Sequence, residues 1–575
     1  MILVPLSLSL ALQLGAITLA SAPGQPSRPP VADSARDLQR ARGAQGDFER
    51  ARRNALAWDA GSGGRCDVRV GRFCWWYDGT LPTFPPESDR IVQRRAELIA
   101  ELDALGALHP GDEWIVGMRV HYRVEAGRGP EADSVAKSCR AAAWWCAKLA
   151  GYAAHGMGDA VRAESSFAAA DSSMSGERLC GWRNITALLA GEARSRYAAL
   201  SCAERGSLER RYWAVTHPRL SVAANEWRNE FETRRVQSEL AAQSRNPQPS
   251  SWGDDAEELV LRYGWPNAWT RVAQSTSAFG AEPAIIGHEP SPSFDFAPDE
   301  RVILDSLTDA GDDAWRADDP RSTTRYAPSG VARLSGIGAQ VARFRRGDST
   351  LVVGIYSVAD DSVRGAPPIL SAIIAARPNA PVSVVAESGS ARAGTLQLML
   401  PSEPLLAGIE LLDTTSRTLA RSRRTFAIPP GVRRISDLLI YRGSDDVPTS
   451  LEAAIARGIA SDSVMRGDPI GLYWETYAEA NAAAGADTAV LAMSIERIDR
   501  GMFHGLAQRF GIGDPDAPIR VHWSAPPGTT RAISARAIAL DSADLEGGRY
   551  RISVSVTRSG APPLVATREL TIQSP

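Results

Sequence analysis

The chain changes texture near residue 330, and that change limits its fold more than any other feature. Before it, apolar residues recur at helical spacing among charged ones. After it, they fall in short alternating runs separated by glycine, proline and aspartate. "QVARFRRGDSTLVVGIYSV" is two such runs around Gly347-Asp348, a hairpin signal. "ILSAIIAA", "VSVVAES", "TLQLMLP", "GIELLD" and "RRTFAI" follow. Six or more short strands with turn residues between them predict a β-sandwich over 326–430. "SDLLIYR", "DPIGLYWETY", "TAVLAMSIERI", "IRVHWSA" and the closing "RYRISVSVT…PLVATRELTI" predict a second over 431–575. In the closing hairpin Tyr550, Ile552, Val554 and Val556 share one face.

The part before residue 330 reads differently. Residues 23–60 are a Pro/Ser-rich linker followed by a charged helical arm, and 61–109 hold a hairpin and a helix. The hairpin "GRCDVRVGRFCWWYD" runs out through Val68 and Val70, bends at Gly71-Arg72 and returns through Phe73 and Trp75. The helix "SDRIVQRRAELIAELDAL" puts Ile91, Leu98, Leu102 and Leu105 on one face. Over 110–205 small residues and cysteines recur at one spacing, as in Gly117 and Gly151, Ala136 and Ala170, and Cys146 and Cys180. Gly151, Gly158, Ala163, Phe167 and Ala170 fall where tetratricopeptide repeats carry small and aromatic packing residues. This segment therefore resembles degenerate tetratricopeptide-like repeats, with a plain helical-hairpin bundle as the alternative. At 575 residues the chain is too long for one core and suits roughly three or four domains. The expected class is multidomain α+β: an N-terminal α-helical repeat region, a central α/β module over 206–325, and two C-terminal antiparallel β-sandwiches.

Residues 2–22 form the only long apolar run and end in Ala20-Ser21-Ala22, a small-x-small cleavage pattern. That predicts a signal peptide over 1–22 and a periplasmic or secreted protein; a single N-terminal anchor is the alternative. No later segment is apolar enough to span a bilayer, and no cysteine near the cleavage point offers lipid attachment. Six cysteines, Cys66, Cys74, Cys139, Cys146, Cys180 and Cys202, lie in the first 202 residues. An even count behind a secretory signal predicts disulfides. The expected pairs are nearest neighbours: Cys66–Cys74, Cys139–Cys146 and Cys180–Cys202. Cys146 and Cys180 share a repeat position, so they should stand on neighbouring helices too far apart to bridge.

One segment draws a chemical question. "SSWGDDAEELVLRYGWPNAWTR", Ser250 to Arg271, crowds three tryptophans, two aspartates and a Tyr-Gly-Trp-Pro turn together. With the upstream "ERRYWAVTHPRLSVAANEWRNEFETRRV" it resembles the bacterial GWxTD-motif proteins. The matching residues are Trp213, Pro218, Asn225-Glu226, Glu230-Phe231, Arg234 or Arg235, Trp252, Asp255, and Tyr263-Gly264-Trp265-Pro266. Ser251 and Asp254 depart from the glycine and threonine of the name. With "ISDLLIY" and "GDPIGLYWETY" the resemblance covers 206–575 and implies a cell-envelope module without an assigned reaction. On physical grounds Gly264 and Pro266 make a turn, Asp254 or Asp255 caps the helix "AEELVLRY", and the tryptophans pack. Trp252 and Tyr263 should then be mostly buried, with Pro266 ending the segment. A sugar-stacking platform would use the same rings.

No catalytic, cofactor-binding or metal-ligating residue is picked out. The seven histidines are scattered, without H-E-x-x-H, and there is no G-x-S-x-G. Lys137 and Lys148 are the only lysines, so no Walker A loop exists, and a net charge of -3 offers nucleic acid no basic face. Both Arg-Gly-Asp sites, in "RRGDS" and "MRGDP", read as turns. The acid-rich "DSLTDAGDDAWRADDPR", Asp305 to Arg321, lacks calcium-loop spacing and reads as a solvated linker. The expected function is an exported, non-enzymatic scaffold binding envelope proteins through its helical repeats, without cofactor. The alternative is a carbohydrate- or surface-polymer-binding protein with a cryptic hydrolase activity. Against it, 13 of the 15 tryptophans precede residue 316, leaving the sandwiches only Trp474 and Trp523.

Overall fold

The computed structural model describes residues 31–58, 67–75, 86–248, 250–271, 276–277, 280–281, 285–304, 309–316, 319, 322–358, 369–376, 383–389, 392–478, 489–499, 518–525, 533–558 and 562–574. The signal-peptide reading and Cys66 lie outside them. The protein is multidomain α+β, helical in its first part and antiparallel β in its last.

The helical part comprises α1 (Val31–Ala55), α2 (Asp89–Leu108), α3 (Glu113–Glu125), α4 (Gly129–Lys137), α5 (Ala143–Gly156) and α6 (Ala160–Ser172). Then come α7 (Gly176–Arg183), α8 (Gly191–Ala199), α9 (Cys202–Val215), α10 (Glu226–Ala242) and α11 (Asp254–Tyr263). Helical spacing decides which side is buried. On α2, Ile91, Leu98, Leu102 and Leu105 face inward as expected. Asp112 caps α3 by accepting from the Ile115 amide, and Asn225 caps α10 by accepting from that of Arg228. The core joins Phe48 of α1, Leu102 of α2, Trp114 of α3 and Leu149 of α5 to Val236 and Leu240 of α10. The helix that opens the expected 206–325 module thus completes the core of the preceding region. Inside it Lys148, fully buried, donates to Asp171 at 3.0 Å and Glu232 at 2.5 Å and lies over the Trp182 ring. A buried ammonium needs such partners.

Cys139–Cys146 and Cys180–Cys202 form as expected. The first links the end of α4 to the first turn of α5. The second joins α7 to the start of α9 and so encloses α8. Cys74 is also disulfide-bonded.

Four short strands belong to the module: β3 (Ala268–Arg271), β4 (Thr276–Ser277), β5 (Gly280–Ala281) and β6 (Ile285–His288). They follow the hairpin β1 (Val68–Val70) and β2 (Phe73–Trp75). The first sandwich contains β7 (Arg333–Gly336), β8 (Gly338–Arg346), β9 (Ser349–Ser357), β10 (Ile369–Ala376), β11 (Ser383–Gly389), β12 (Ala393–Pro401), β13 (Leu405–Asp413) and β14 (Thr418–Phe426). Its sheets run β11-β10-β13-β14-β7 and β12-β9-β8. The second contains β15 (Leu439–Arg442), β16 (Ser463–Met465), β17 (Pro469–Tyr477), β18 (Ala489–Arg497), β19 (Ile519–Ala525), β20 (Ile533–Asp541), β21 (Gly548–Thr557) and β22 (Leu564–Gln573). Its sheets run β19-β18-β21-β22-β16 and β20-β17-β15.

The last six strands of the two sandwiches occupy equivalent places. In both, an early strand adds in parallel to the final one, β7 to β14 and β16 to β22. Only the first two strands exchange order: β7 enters the large sheet before β8 joins the small one, whereas β15 joins the small sheet before β16 enters the large one. The small sheets then pack on each other, with Phe344 and Ile355 against Leu439, Tyr441 and Tyr473. Both Arg-Gly-Asp sequences lie between strands that follow each other directly, and Gly347 and Gly467 adopt positive φ there, consistent with turns.

Candidate functional site

The segment Ser250–Arg271 was the sequence's strongest candidate, and the structure resolves it into two differently held ends and a narrow cleft. α11 ends at Tyr263, and Gly264 terminates it at φ 108°, a region that penalises any Cβ. The helix therefore stops at Gly264, not at Pro266. Pro266 packs two residues later against Gly287 of β6, as the chain turns into β3.

Arg234 of α10 organises this end. Only 2% exposed, it donates to the carbonyls of Leu261 at 3.1 Å and Arg262 at 2.9 Å, capping the helix from outside. Its other nitrogens reach the Arg325 carbonyl at 2.8 Å and Glu230 at 2.7 Å. Burial would raise the Glu230 carboxyl, but Arg234 and the His155 ring at 2.7 Å hold it down to about 2. Of the two arginines that fit the family pattern, Arg234 is the buried one; Arg235 pairs with Glu257 nearer the surface. Tyr263 is buried as expected. It stacks on Trp75 of the hairpin at 4.2 Å and donates to the Ser322 carbonyl at 3.2 Å. Burial pushes its hydroxyl up to about 12.

The other end of α11 departs from expectation. The residue at the capping position is Gly253, and neither Asp254 nor Asp255 serves there. Asp255 instead takes a two-pronged grip from Arg72, both prongs at 2.7 Å, and accepts the Arg72 amide at 3.0 Å. Those bonds hold its carboxyl well below the usual carboxylate range. Gly71 makes the approach possible: at φ 54°, its added Cβ would lie 2.4 Å from Asp255. The aspartate of the motif is thus a latch between α11 and a hairpin 183 residues away. Sequence reasoning found the Gly71-Arg72 bend but not its role, because nothing local marks the partner.

Trp252 is mostly covered, as expected, though less completely than Tyr263. It stands 6.4 Å from Trp265, which stands 6.3 Å from Trp269. These rings, with Pro266, Ile285 and Ile286, wall a cleft of about 40 Å³. Pockets that enclose small molecules measure roughly 300–1,000 Å³, so the rings form a packed seam, too tight to enclose a sugar.

The described part of the acid-rich segment is largely exposed, as a solvated linker should be, but two of its aspartates bond to the first sandwich. Asp312, an exposed residue, turns its carboxylate onto β14, accepting from the Ser422 hydroxyl at 2.8 Å and from the Arg423 amide. Desolvation of that carboxylate against the sheet raises it above the ordinary value. Asp309 accepts from the Ala427 amide at 2.8 Å. The segment fastens the module to the first sandwich. Among the described residues no group of three or more His, Cys, Asp or Glu is arranged to hold a metal ion.

No protein-family model matches this chain, and no curated protein matches it. Among solved structures, red sea bream transglutaminase is similar over 56% of this chain and 43% of its own, at 9% identity and a TM-score of 0.14. The native alpha-2-macroglobulin of E. coli is similar over 45% of this chain and 17% of its own, at 12% identity and a TM-score of 0.15. The FN1–FN3 domains of chicken CNTN1 are similar over 52% of this chain and 76% of their own, at 10% identity and a TM-score of 0.13. The chain spans less than half the length of the first two. Likenesses this slight assign neither family nor function.

Proposed function

We propose that this protein is an exported, non-enzymatic scaffold of the cell envelope that works by binding other proteins. One observation carries the reading: the polar residues of the motif fasten parts of the chain to each other. Asp255 holds Arg72, Glu230 and Arg234 hold each other and the end of α11, and Tyr263 stacks on Trp75. In this reading 206–575 is a GWxTD-like module with its sandwiches, and 110–205 are tetratricopeptide-like repeats that present the partner surface. The disulfides suit an oxidising compartment. No described helix is long and apolar enough to cross a membrane. The exposed Val92 on α2 and Val161 on α6 are natural contact probes.

The test is photocrosslinking of the full chain in its envelope fraction, with the reactive residue at position 92 or 161. One recurrent protein adduct from either position supports the scaffold. No adduct above background, together with saturable binding of the full chain on a glycan array, overturns it in favour of polymer binding. N-terminal sequencing tests the compartment: Met1 retained in a cytosolic pool would contradict export.

A further inference from the structure

Lys148 of α5 stands out in a chain whose 64 basic residues include only two lysines. Elsewhere the chain buries arginine against its acids, as Arg52, Arg343 and Arg423 show. Arginine would grip a carboxylate at least as well, but lysine carries a nucleophilic amine. Lys148 Nζ lies 3.0 Å from Asp171 Oδ1 on α6 and 2.5 Å from Glu232 Oε2 on α10. None of the three side chains is more than 4% exposed. The Trp182 and Phe167 rings stand 4.8 Å and 5.6 Å from the nitrogen and wall the site with apolar surface. The two oxygens of Asp171 are divided in use: Oδ1 faces the amine, while Oδ2 accepts from Arg183 Nε at 3.0 Å. Arg228 lies 3.7 Å from that same Oδ2.

The position along the chain is a second pointer. Disulfides close the loops 139–146 and 180–202, and Lys148 and Asp171 bracket the interval between them. A covalent bond there would give three successive closed loops from Cys139 to Cys202.

We propose that Lys148 and Asp171 condense autocatalytically into an isopeptide bond, with Glu232 carrying the protons. Glu232 takes a proton from Nζ, and the freed lone pair attacks Cγ of Asp171. Arg183, already on Oδ2, stabilises the negative charge of the tetrahedral adduct. Glu232 returns its proton to Oδ1, a second proton follows from the nitrogen, and Oδ1 leaves as water. Of the three ammonium protons one stays on the amide and two depart in the water, so Glu232 ends as it began. Burial favours the product, because one neutral amide replaces an ammonium and a carboxylate held out of water. The bond fastens α5 to α6 in a way that no reductant opens. The inference does not depend on the scaffold reading.

Intact mass spectrometry of the reduced full-length protein, with its N-terminus sequenced, tests it. Wild type should weigh one water less than its sequence, and its digest should contain a branched peptide joining Lys148 to Asp171. Lys148→Arg keeps the charge and the pairing but should carry the full mass. Glu232→Gln, which cannot take the proton, should carry the full mass as well. Full mass in wild type, a water loss mapped to other residues, or the same loss in K148R overturns the bond. Water loss in E232Q to the wild-type extent overturns the part given to Glu232. Should K148R fail to fold, the wild-type digest decides: the branched peptide supports the bond, and two unmodified linear peptides refute it.

Discussion

At its C-terminal end α11 is gripped by Arg234, which is 2% exposed and gives its hydrogen bonds to three carbonyls and a carboxylate. At its N-terminal end Asp255 meets Arg72, whose side chain is 52% exposed. Both are arginine contacts on one ten-residue helix, yet they do different physical work. Removing the buried arginine strands carbonyls and weakens the hold on a buried carboxylate, and water cannot repair that. Removing the exposed one hands a carboxylate back to water. Arg234 and Asp255 stand only 21 residues apart in the sequence, so closeness in sequence says little about energetic weight.

The contrast breaks most sharply at the buried end. Arg234→Met should cost about 3–5 kcal/mol, the usual loss when one partner of a buried pair is removed. Urea unfolding measures it, and a loss below ~1 kcal/mol would mean the grip is incidental. Tyr263→Ala should cost about 3 kcal/mol as a large-to-small core change, whereas Tyr263→Phe, losing one hydrogen bond, should cost about 1. Equal losses in the two would place the energy in the hydroxyl rather than in the Trp75 stack. Trp252→Ala should cost about 2 kcal/mol, less than Tyr263→Ala, because part of the ring still faces water; a melt as low as that of Tyr263→Ala would show the seam to be part of the core.

The smallest effect belongs to Asp255, and pH sharpens it. Its native carboxyl sits below the unfolded value of about 4. The latch therefore contributes stability above pH 4 and loses it as pH falls through the native value. Wild type should melt above Asp255→Asn at pH 7, and the gap should close towards pH 2 and narrow in high salt. A gap independent of pH would mean that Asp255 acts through packing instead of charge.

Much of the architecture was legible because its causes are local. The face of α2, the alternation of Tyr550 to Val556 and the Gly347 turn follow from the period of the side chains. The pairs Cys139–Cys146 and Cys180–Cys202 were legible because short separations leave few ways to close. Non-reducing peptide mapping should recover both, and a Cys146–Cys180 peptide would contradict the fold. The misreadings share a cause as well. Asp255 looked like a cap and Asp312 like a linker residue because both were judged against their immediate neighbours. Their partners stand 183 and 111 residues away.

What the sequence determined alone is the kind of each element, the side it buries and the two nearest-neighbour disulfides, since backbone sterics and side-chain period act over a few residues. Tertiary structure decided which charges meet. Arg72 reaches Asp255, Arg234 closes α11, Arg423 takes Glu410, and Arg421 beside it is left with an Nη2 that finds no hydrogen-bond partner among the described residues. It also decided that the two sandwiches share a plan with one exchange of strands. Burial strengthens a paired charge and penalises an unpaired one, and burial depends on residues that only the folded chain brings together.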